Sequence, residues 1–363
     1  MVVSNKGVLF KAIPTGHPVI GEHFEVVDRT IDIENFKLGE NELLLKNAYI
    51  SLDPYIRERM REPHIESYIP PFHVGKVMVG DGTSVVIKST HPQYHEGDIV
   101  AGFTAFIPIG RGWEEYTHIK ENDEEMNATG RFCLNHAKDS SFPLTHHSHL
   151  LRIHGLTAYR GLINFGNPKK GETIFVSTAA GAIGHLVVQI AKIKGLYVVG
   201  SAGSDEKVDF LLNTLKIDAA FNYKKVNIDK ALSKHCPDGI DIYFDNVGGE
   251  ILDRVLLHCN RFARIVVCGM ISQYNIRNRK EKYGIKNIDQ VFAKSINIIG
   301  YLISDFWTIN NDTFSKDMEE WLESGKLIYK EDVTIGIDNI PQAFLDMYAG
   351  KNLGKSAVKI SDL

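Results

Sequence analysis

Between Glu172 and Lys207 the pattern of apolar and polar positions changes period twice. Thr173-Ile174-Phe175-Val176-Ser177 is a short β-branched and apolar run, which predicts a buried parallel strand. Ala179-Ala180-Gly181-Ala182-Ile183-Gly184 predicts a tight turn. From His185 to Lys194, Leu186, Val187, Ile190 and Ile193 recur at helical spacing, and Gly195 is placed to cap the helix. Leu196-Tyr197-Val198-Val199 predicts the next strand.

The same texture continues downstream. Ala219 to Asn222, Asp241 to Asp245, Arg264 to Gly269 and Ile296 to Tyr301 read as strands, with helical stretches between most of them. Six strands joined by crossovers predict a doubly wound parallel sheet. Residues 1 to about 150 differ: His23 to Val27, Glu42 to Lys46 and Val74 to Val79 are short strand candidates. Turn signals at Asp81-Gly82, Glu96-Gly97-Asp98 and Arg111-Gly112 separate them. That pattern predicts a small irregular barrel. Beyond Asp305 come an amphipathic helix over Ser315 to Ser324, a strand, a helix opening at Asp338 to Pro341 and ending at Gly350, and an alternating strand over Lys355 to Ile360. Placing that last strand in the barrel makes the parallel sheet an insertion. No internal repeat or low-complexity stretch interrupts this plan.

The turn suggests a chemistry. Backbone N–H groups and the positive end of a helix dipole above Gly181 to Gly184 favour an anion, and small residues admit a diphosphate. A dinucleotide fingerprint reads G-x-G-x-x-G, and Ala179 stands in its first position; a packing turn without ligand is the alternative. The identity of the dinucleotide depends on the following strand tip, about 20 residues on, where an NAD enzyme carries a carboxylate. Here the tip is Gly200-Ser201-Ala202-Gly203-Ser204, with Lys207 one turn into the next helix. Small neutral residues and an ammonium suit a 2′-phosphate, which points to NADPH. Asp205 and Glu206 read as first-turn dipole partners behind Ser204 as N-cap.

Composition narrows the classes. A chain of 363 residues suggests about two domains, since single cores rarely grow past roughly 250 to 300 residues. The formal net charge of -4 argues against nucleic acid as a partner. Cys133, Cys236, Cys259 and Cys268 form no C-x-x-C and read as reduced thiols of a cytoplasmic protein. A basic leader with an apolar core is not seen at Met1 to Gly16, no window approaches a membrane span of roughly 18 apolar residues, and Ser361-Asp362-Leu363 is not the peroxisomal tripeptide.

Eight segments in order resemble the zinc-independent branch of the medium-chain dehydrogenase/reductases, close to the prostaglandin/leukotriene reductases and plant 2-alkenal double-bond reductases. They are Ser51-Leu52-Asp53-Pro54-Tyr55-Ile56-Arg57, Gly155-Leu156-Thr157-Ala158-Tyr159, Ala179 to Gly184, Gly200 to Lys207, Phe221-Asn222-Tyr223-Lys224, Phe244-Asp245-Asn246-Val247-Gly248-Gly249, Gly269 to Asn275, and Asn352-Leu353-Gly354-Lys355. The resemblance implies a Rossmann domain over 153–308 inserted into a GroES-like β-barrel catalytic domain over 1–152 and 309–363. It also implies a homodimer formed through the cofactor domains. It implies that Lys207 and Tyr223 contact the 2′-phosphate, and that Asn352 and Gly354 help close the site. Ala180, Gly181, Ala182, Ile183, Gly203, Ser204, Asn246, Cys268, Gly269 and Ile271 complete the implied cofactor set, and Tyr55 and Tyr274 flank the substrate. Arg160, where relatives carry an apolar residue, and His73 depart from the pattern.

No metal is expected. The zinc-dependent relatives need a Gly-His-Glu motif and closely spaced cysteines, both missing here, and His146-His147-Ser148-His149, with Asp139 its nearest acid, reads as a solvated loop. A hydrolase is set aside because no G-x-S-x-G elbow occurs. The expected reaction is hydride delivery to the β-carbon of an α,β-unsaturated aldehyde or ketone. Charge then builds on the carbonyl oxygen, which a neutral tyrosine can stabilise, Tyr274 first and Tyr55 next. Without the resemblance, both tyrosines read first as amphipathic wall residues. A zinc-free quinone reductase and a non-catalytic NADPH-binding regulator are the alternatives.

Overall fold

The computed structural model describes residues 1–102, 111–120, 131–133, 142–306 and 312–362. The chain divides into two compact units, one of Met1–Ser148, Asp332–Lys351 and Ser356–Leu363, the other of His149–Glu331 and Asn352–Lys355.

The second unit carries six strands: β1 (Thr173–Val176), β2 (Tyr197–Ala202), β3 (Ala219–Asn222), β4 (Ile240–Asp245), β5 (Cys259–Val267) and β6 (Asn297–Gly300). They lie in the order β3-β2-β1-β4-β5-β6, and every neighbouring pair is parallel. This is the doubly wound sheet expected. Its order reverses between β1 and β4, the position at which such sheets bind ligands beyond their strand ends. Crossovers contain α1 (Gly184–Ile193), α2 (Asp205–Asp209), α3 (Ile228–His235), α4 (Gly249–His258) and α5 (Asp289–Lys294).

The central strands read as continuous apolar runs because both faces are covered: Ile174, Phe175, Val176, Ile242, Tyr243 and Phe244 have no exposed surface. Phe175 stacks between Phe221 and Tyr243, with centroids 5.8 and 5.3 Å away. Gly195 takes φ +80° after α1, as a C-terminal glycine should.

This unit runs to Glu331, past the boundary at 308 expected from the sequence. The reason is packing. The helix Asp312–Glu323 sets Phe314 and Trp321 against Tyr159, at 5.5 and 6.1 Å between centroids. The Tyr159 hydroxyl donates to Asp317 at 2.7 Å.

The first unit centres on an antiparallel sheet in which Leu43–Ser51 pairs with Gly82–Ser89, Tyr116–Ile119 and Lys355–Lys359. The terminal strand thus joins this sheet, with Ala357 opposite Ser51. Three expectations fail here, one of them at Arg111-Gly112, which is a short paired strand and not a turn. The run Val74 to Val79 is mostly loop, because Gly75 turns at φ +83° and Lys76 N–H closes a turn on the His73 carbonyl; Val77 makes a single bridge to Leu9, and a strand starts only at Val79–Gly80, which pairs with Arg111–Gly112. Conversely, Asp81-Gly82 does not end a strand but begins one of eight residues, Gly82–Ser89. The fully buried Arg57 guanidinium donates to the carbonyls of Met60, Pro14 and Gly16, and Arg59 lies over the Phe72 ring at 4.3 Å.

Asp253 of α4 joins that helix to the segment that follows Tyr274. Its carboxylate accepts the N–H groups of Lys286 and Asn287 at 2.8 and 2.7 Å and the Tyr283 hydroxyl at 2.9 Å. Burial opposes the charge, but these donors outweigh it and hold the carboxyl below its ordinary range. Its stabilising contribution is therefore present above the usual carboxylate pKa and is lost as acid carries pH down through the lowered one. Asp253→Ala strands two backbone donors and is expected to cost about 2–4 kcal/mol, with Asp253→Asn costing less; differential scanning calorimetry checks both.

Candidate active site

The turn after β1 is shaped by the absence of side chains. A Cβ on Gly184 would lie 2.2 Å from the Thr178 oxygen, and one on Gly181 would lie 2.9 Å from Thr178 Cγ2. Gly200 on β2 meets the Ala179 methyl group in the same way, at 2.7 Å. Helix, turn and two strands therefore approach more closely than any larger residues would permit. Thr178 takes φ +51°, which turns the chain out of β1, and Gly181 N–H closes the turn on the Thr178 carbonyl at 2.9 Å. Among the described residues no acceptor is found for the N–H groups of Ala182 and Ile183. Two such donors at the start of a ten-residue helix fit a diphosphate.

Asn352–Lys355 borders this turn. Gly354 N–H donates to the Ala180 carbonyl at 2.9 Å, and the Asn352 amide donates to the Gly354 carbonyl at 2.8 Å. Gly354 stands at φ +78°, where a Cβ would fall 2.1 Å from the Lys330 oxygen. The structure brings Asn352, Gly354, Ala180 and Gly181 together.

At the tip of β2, Ser204 caps α2 by accepting Lys207 N–H at 3.3 Å. Lys207 is largely buried. Gly203 backs onto Tyr223, whose hydroxyl would stand 3.3 Å from a Cβ at that position. Asp205 is engaged elsewhere, by the Asn222 amide at 2.8 Å and by the Lys225 ammonium, and these partners lower its pKa. That removes the apparent conflict between an acid at the tip and a phosphate nearby. The roles of Asn222 and Lys225 carry no signal in the sequence beyond their spacing from the strand.

The ends of β1, β4 and β5 are joined through Ser177 and Asp245. Asn246 donates to Ser177 twice, from N–H to the hydroxyl at 3.0 Å and from its amide to the carbonyl at 2.7 Å. Cys268 and Gly269 N–H both donate to the Asp245 carbonyl, and Ile271 N–H donates to Asn246. The buried Asp245 carboxyl accepts the Tyr243 hydroxyl at 2.7 Å and the Val247 and Gly248 N–H groups, while burial raises its pKa. Ser177 and Asp245 were not singled out from sequence. An acid ending an apolar parallel strand is the signal that could have found Asp245.

Tyr274 sits on this loop. Its hydroxyl accepts Met270 N–H at 3.1 Å and would stand 3.2 Å from a Cβ at Gly269, so one expected catalytic residue touches the loop that carries Cys268, Gly269 and Ile271. Burial pushes the Cys268 thiol up to about 12, which makes it a poor nucleophile. Tyr55 belongs to the other unit, where its hydroxyl donates to Asp81 at 3.1 Å. Burial first, then the Asp81 charge, keeps this phenol neutral.

The histidine run is not a solvated loop: His146–Leu150 is helical, and His147, Ser148 and His149 are buried because Phe142 packs against His147 and His149 faces His154 and Glu331. Among the described residues no group of three or more His, Cys, Asp or Glu side chains is placed to hold a metal ion; Asp139 lies outside the described residues.

A doubly wound sheet with backbone donors left free among the described residues at its first helix turn, a strand tip of small neutral residues and a tyrosine on the adjoining loop suits a dinucleotide-dependent oxidoreductase. Comparison with known proteins agrees. Residues 182–324 match the family model described as zinc-binding dehydrogenase, and residues 6–126 match the N-terminal domain of oxidoreductase. The chain is 41% identical over 361 residues to the NADP(+)-dependent 2-alkenal reductase of Nicotiana tabacum, covering 99% of this chain and 98% of that one. It is 41% identical over 323 residues to the (+)-pulegone reductase of Mentha piperita, covering 88% of each. The structure of CurA in complex with NADPH from Vibrio vulnificus superimposes with a TM-score of 0.85 at 34% identity, covering 99% of this chain and 100% of that one. The chain belongs to the medium-chain dehydrogenase/reductase family, in its branch of alkenal and enone reductases.

The expectation that Lys207 meets a 2′-phosphate sets a cofactor-selectivity test. Lys207→Ala should raise KM for NADPH about 10- to 100-fold, as for a lost charged hydrogen bond, and leave KM for NADH within about 2-fold. Steady-state kinetics with both cofactors measures this, and equal losses would remove the assignment.

Proposed function

We propose that this protein reduces the carbon–carbon double bond of α,β-unsaturated aldehydes or ketones with NADPH, placing hydride on the β-carbon. The observation that carries the reading is likeness along the full length to a 2-alkenal reductase, together with a turn and strand tip that suit NADPH. NADPH supplies the hydride when bound. The Ala182 and Ile183 N–H groups hold its diphosphate, Lys207 and Tyr223 its 2′-phosphate, and Asn246 and the Cys268 to Ile271 loop border the rest. Ala180, Gly181, Gly203 and Ser204 provide the close backbone, with Asn352 and Gly354 along the edge.

As hydride reaches the β-carbon, negative charge moves to the carbonyl oxygen. Tyr274 donates a hydrogen bond there. Acceptance of Met270 N–H supports this role, because an accepting bond polarises the phenol toward donation. Tyr55 shapes the substrate end; its hydroxyl is directed at Asp81, which favours Tyr274 as the principal donor. The substrate is a small unsaturated carbonyl compound.

The protein works in the cytoplasm as a homodimer paired through its cofactor units. Support for the location comes from the buried free thiols of Cys236 and Cys259, and support for pairing from β6 at the edge of its sheet and from the neighbouring Phe292, which is 91% exposed.

NADPH consumption with a medium-chain 2-alkenal, a conjugated enone and a quinone in parallel tests the reading. Saturated carbonyl products from the enal or enone are expected. Activity on the quinone alone would assign a quinone reductase, and tight cofactor binding without turnover would assign a regulator. In the same assay Tyr274→Phe should lower turnover about 10²- to 10³-fold, as for loss of one oxyanion donor; full turnover would rule Tyr274 out as that donor.

A further inference from the structure

The diphosphate turn is supported by one side chain that the sequence presents only as a helix residue, and the inference rests on the assignment of that turn to the cofactor. His185, the second residue of α1, is fully buried. Its N–H donates to the Gly181 carbonyl at 3.1 Å, and its ring Nδ1 meets the same oxygen at 2.8 Å. Its Nε2 faces Lys330 N–H at 3.3 Å, and the ring stacks on Tyr329 with centroids 5.4 Å apart. A carbonyl only accepts and a backbone N–H only donates, so one proton placement satisfies both nitrogens: Nδ1 protonated, Nε2 bare. Burial lowers the His185 pKa to about 4, so the ring is neutral at physiological pH.

The Gly181–Ala182 peptide is planar and trans, so its C=O and N–H point in opposite directions. Holding the Gly181 oxygen against the His185 ring therefore turns the Ala182 N–H away from that ring. Neighbouring bonds stiffen the arrangement. The Gln189 amide donates to the His185 carbonyl at 2.7 Å and to the Ile328 carbonyl at 2.9 Å, and accepts Ile328 N–H at 2.7 Å. We propose that His185 is a positioning residue for the cofactor diphosphate: as the Nδ1–H tautomer it fixes the Gly181–Ala182 peptide so that the Ala182 N–H stays aimed at a diphosphate oxygen.

His185→Phe keeps a ring for Tyr329 and removes both nitrogens; His185→Gln keeps a donor. Calorimetric titration with NADPH and with adenosine 2′-monophosphate, which carries the 2′-phosphate but no diphosphate, tests the role. The expected result is that His185→Phe weakens NADPH about 3- to 10-fold, the range of one hydrogen bond, leaves the monophosphate within about 2-fold, raises KM for NADPH more than it lowers kcat, and is partly rescued by His185→Gln. Equal weakening of both ligands, or unchanged NADPH affinity, would overturn the proposal. Lys207→Ala separates this from failure of the site assignment: it must weaken the monophosphate. If it does not, the adenosine end binds elsewhere and the proposal falls together with the assignment.

Discussion

The first turn of α1 can lie against the end of β1 only because Gly184 carries no side chain, since a Cβ there would stand 2.2 Å from the Thr178 oxygen. The site depends on that contact. It lets Gly181 N–H close the turn on Thr178, brings Ala180 against Gly354, and leaves the Ala182 and Ile183 donors at the head of a buried helix. An anion there meets a prearranged dipole rather than one that must reorganise. The covered apolar strands on either side keep this arrangement rigid, because Phe175, Val176 and Phe244 are fully buried around it.

From the same strand ends the chemistry is passed outward by backbone bonds. Ser177 takes Asn246, Asp245 takes the Cys268 and Gly269 N–H groups, and Met270 N–H reaches the Tyr274 hydroxyl. Each step is short, from the half-buried Asn246–Ser177 bond to the exposed Met270–Tyr274 bond. The donor role proposed for Tyr274 needs no metal to stabilise an enolate oxygen, which is consistent with the alkenal reductase branch to which the chain belongs.

The parallel unit was legible because its strands are buried on both faces and therefore read as uninterrupted apolar runs, and because glycine and small residues mark the turn at a definite place after the first strand. The antiparallel unit was less legible. Val74 to Val79 looks like a strand until Gly75 turns, and Asp81-Gly82 looks like a turn although it opens Gly82–Ser89, since local propensity is weaker than long-range pairing in such sheets. At the proposed site, residue type pointed to Lys207 and a neutral strand tip. What sequence could not reveal was occupancy: Asp205 is tied to Asn222 and Lys225, Tyr55 is directed at Asp81, and His185 joins its neighbour Gly181 to Lys330, 145 residues away.

The central claim is that hydride goes to the β-carbon and not to the carbonyl carbon, and the most direct measurement follows the label itself. A conjugated enone is reduced with NADPH carrying deuterium at the transferable position of the nicotinamide ring, and the product is read by NMR. The account predicts a saturated ketone with deuterium on the β-carbon. Deuterium on the carbinol carbon of an allylic alcohol would contradict it.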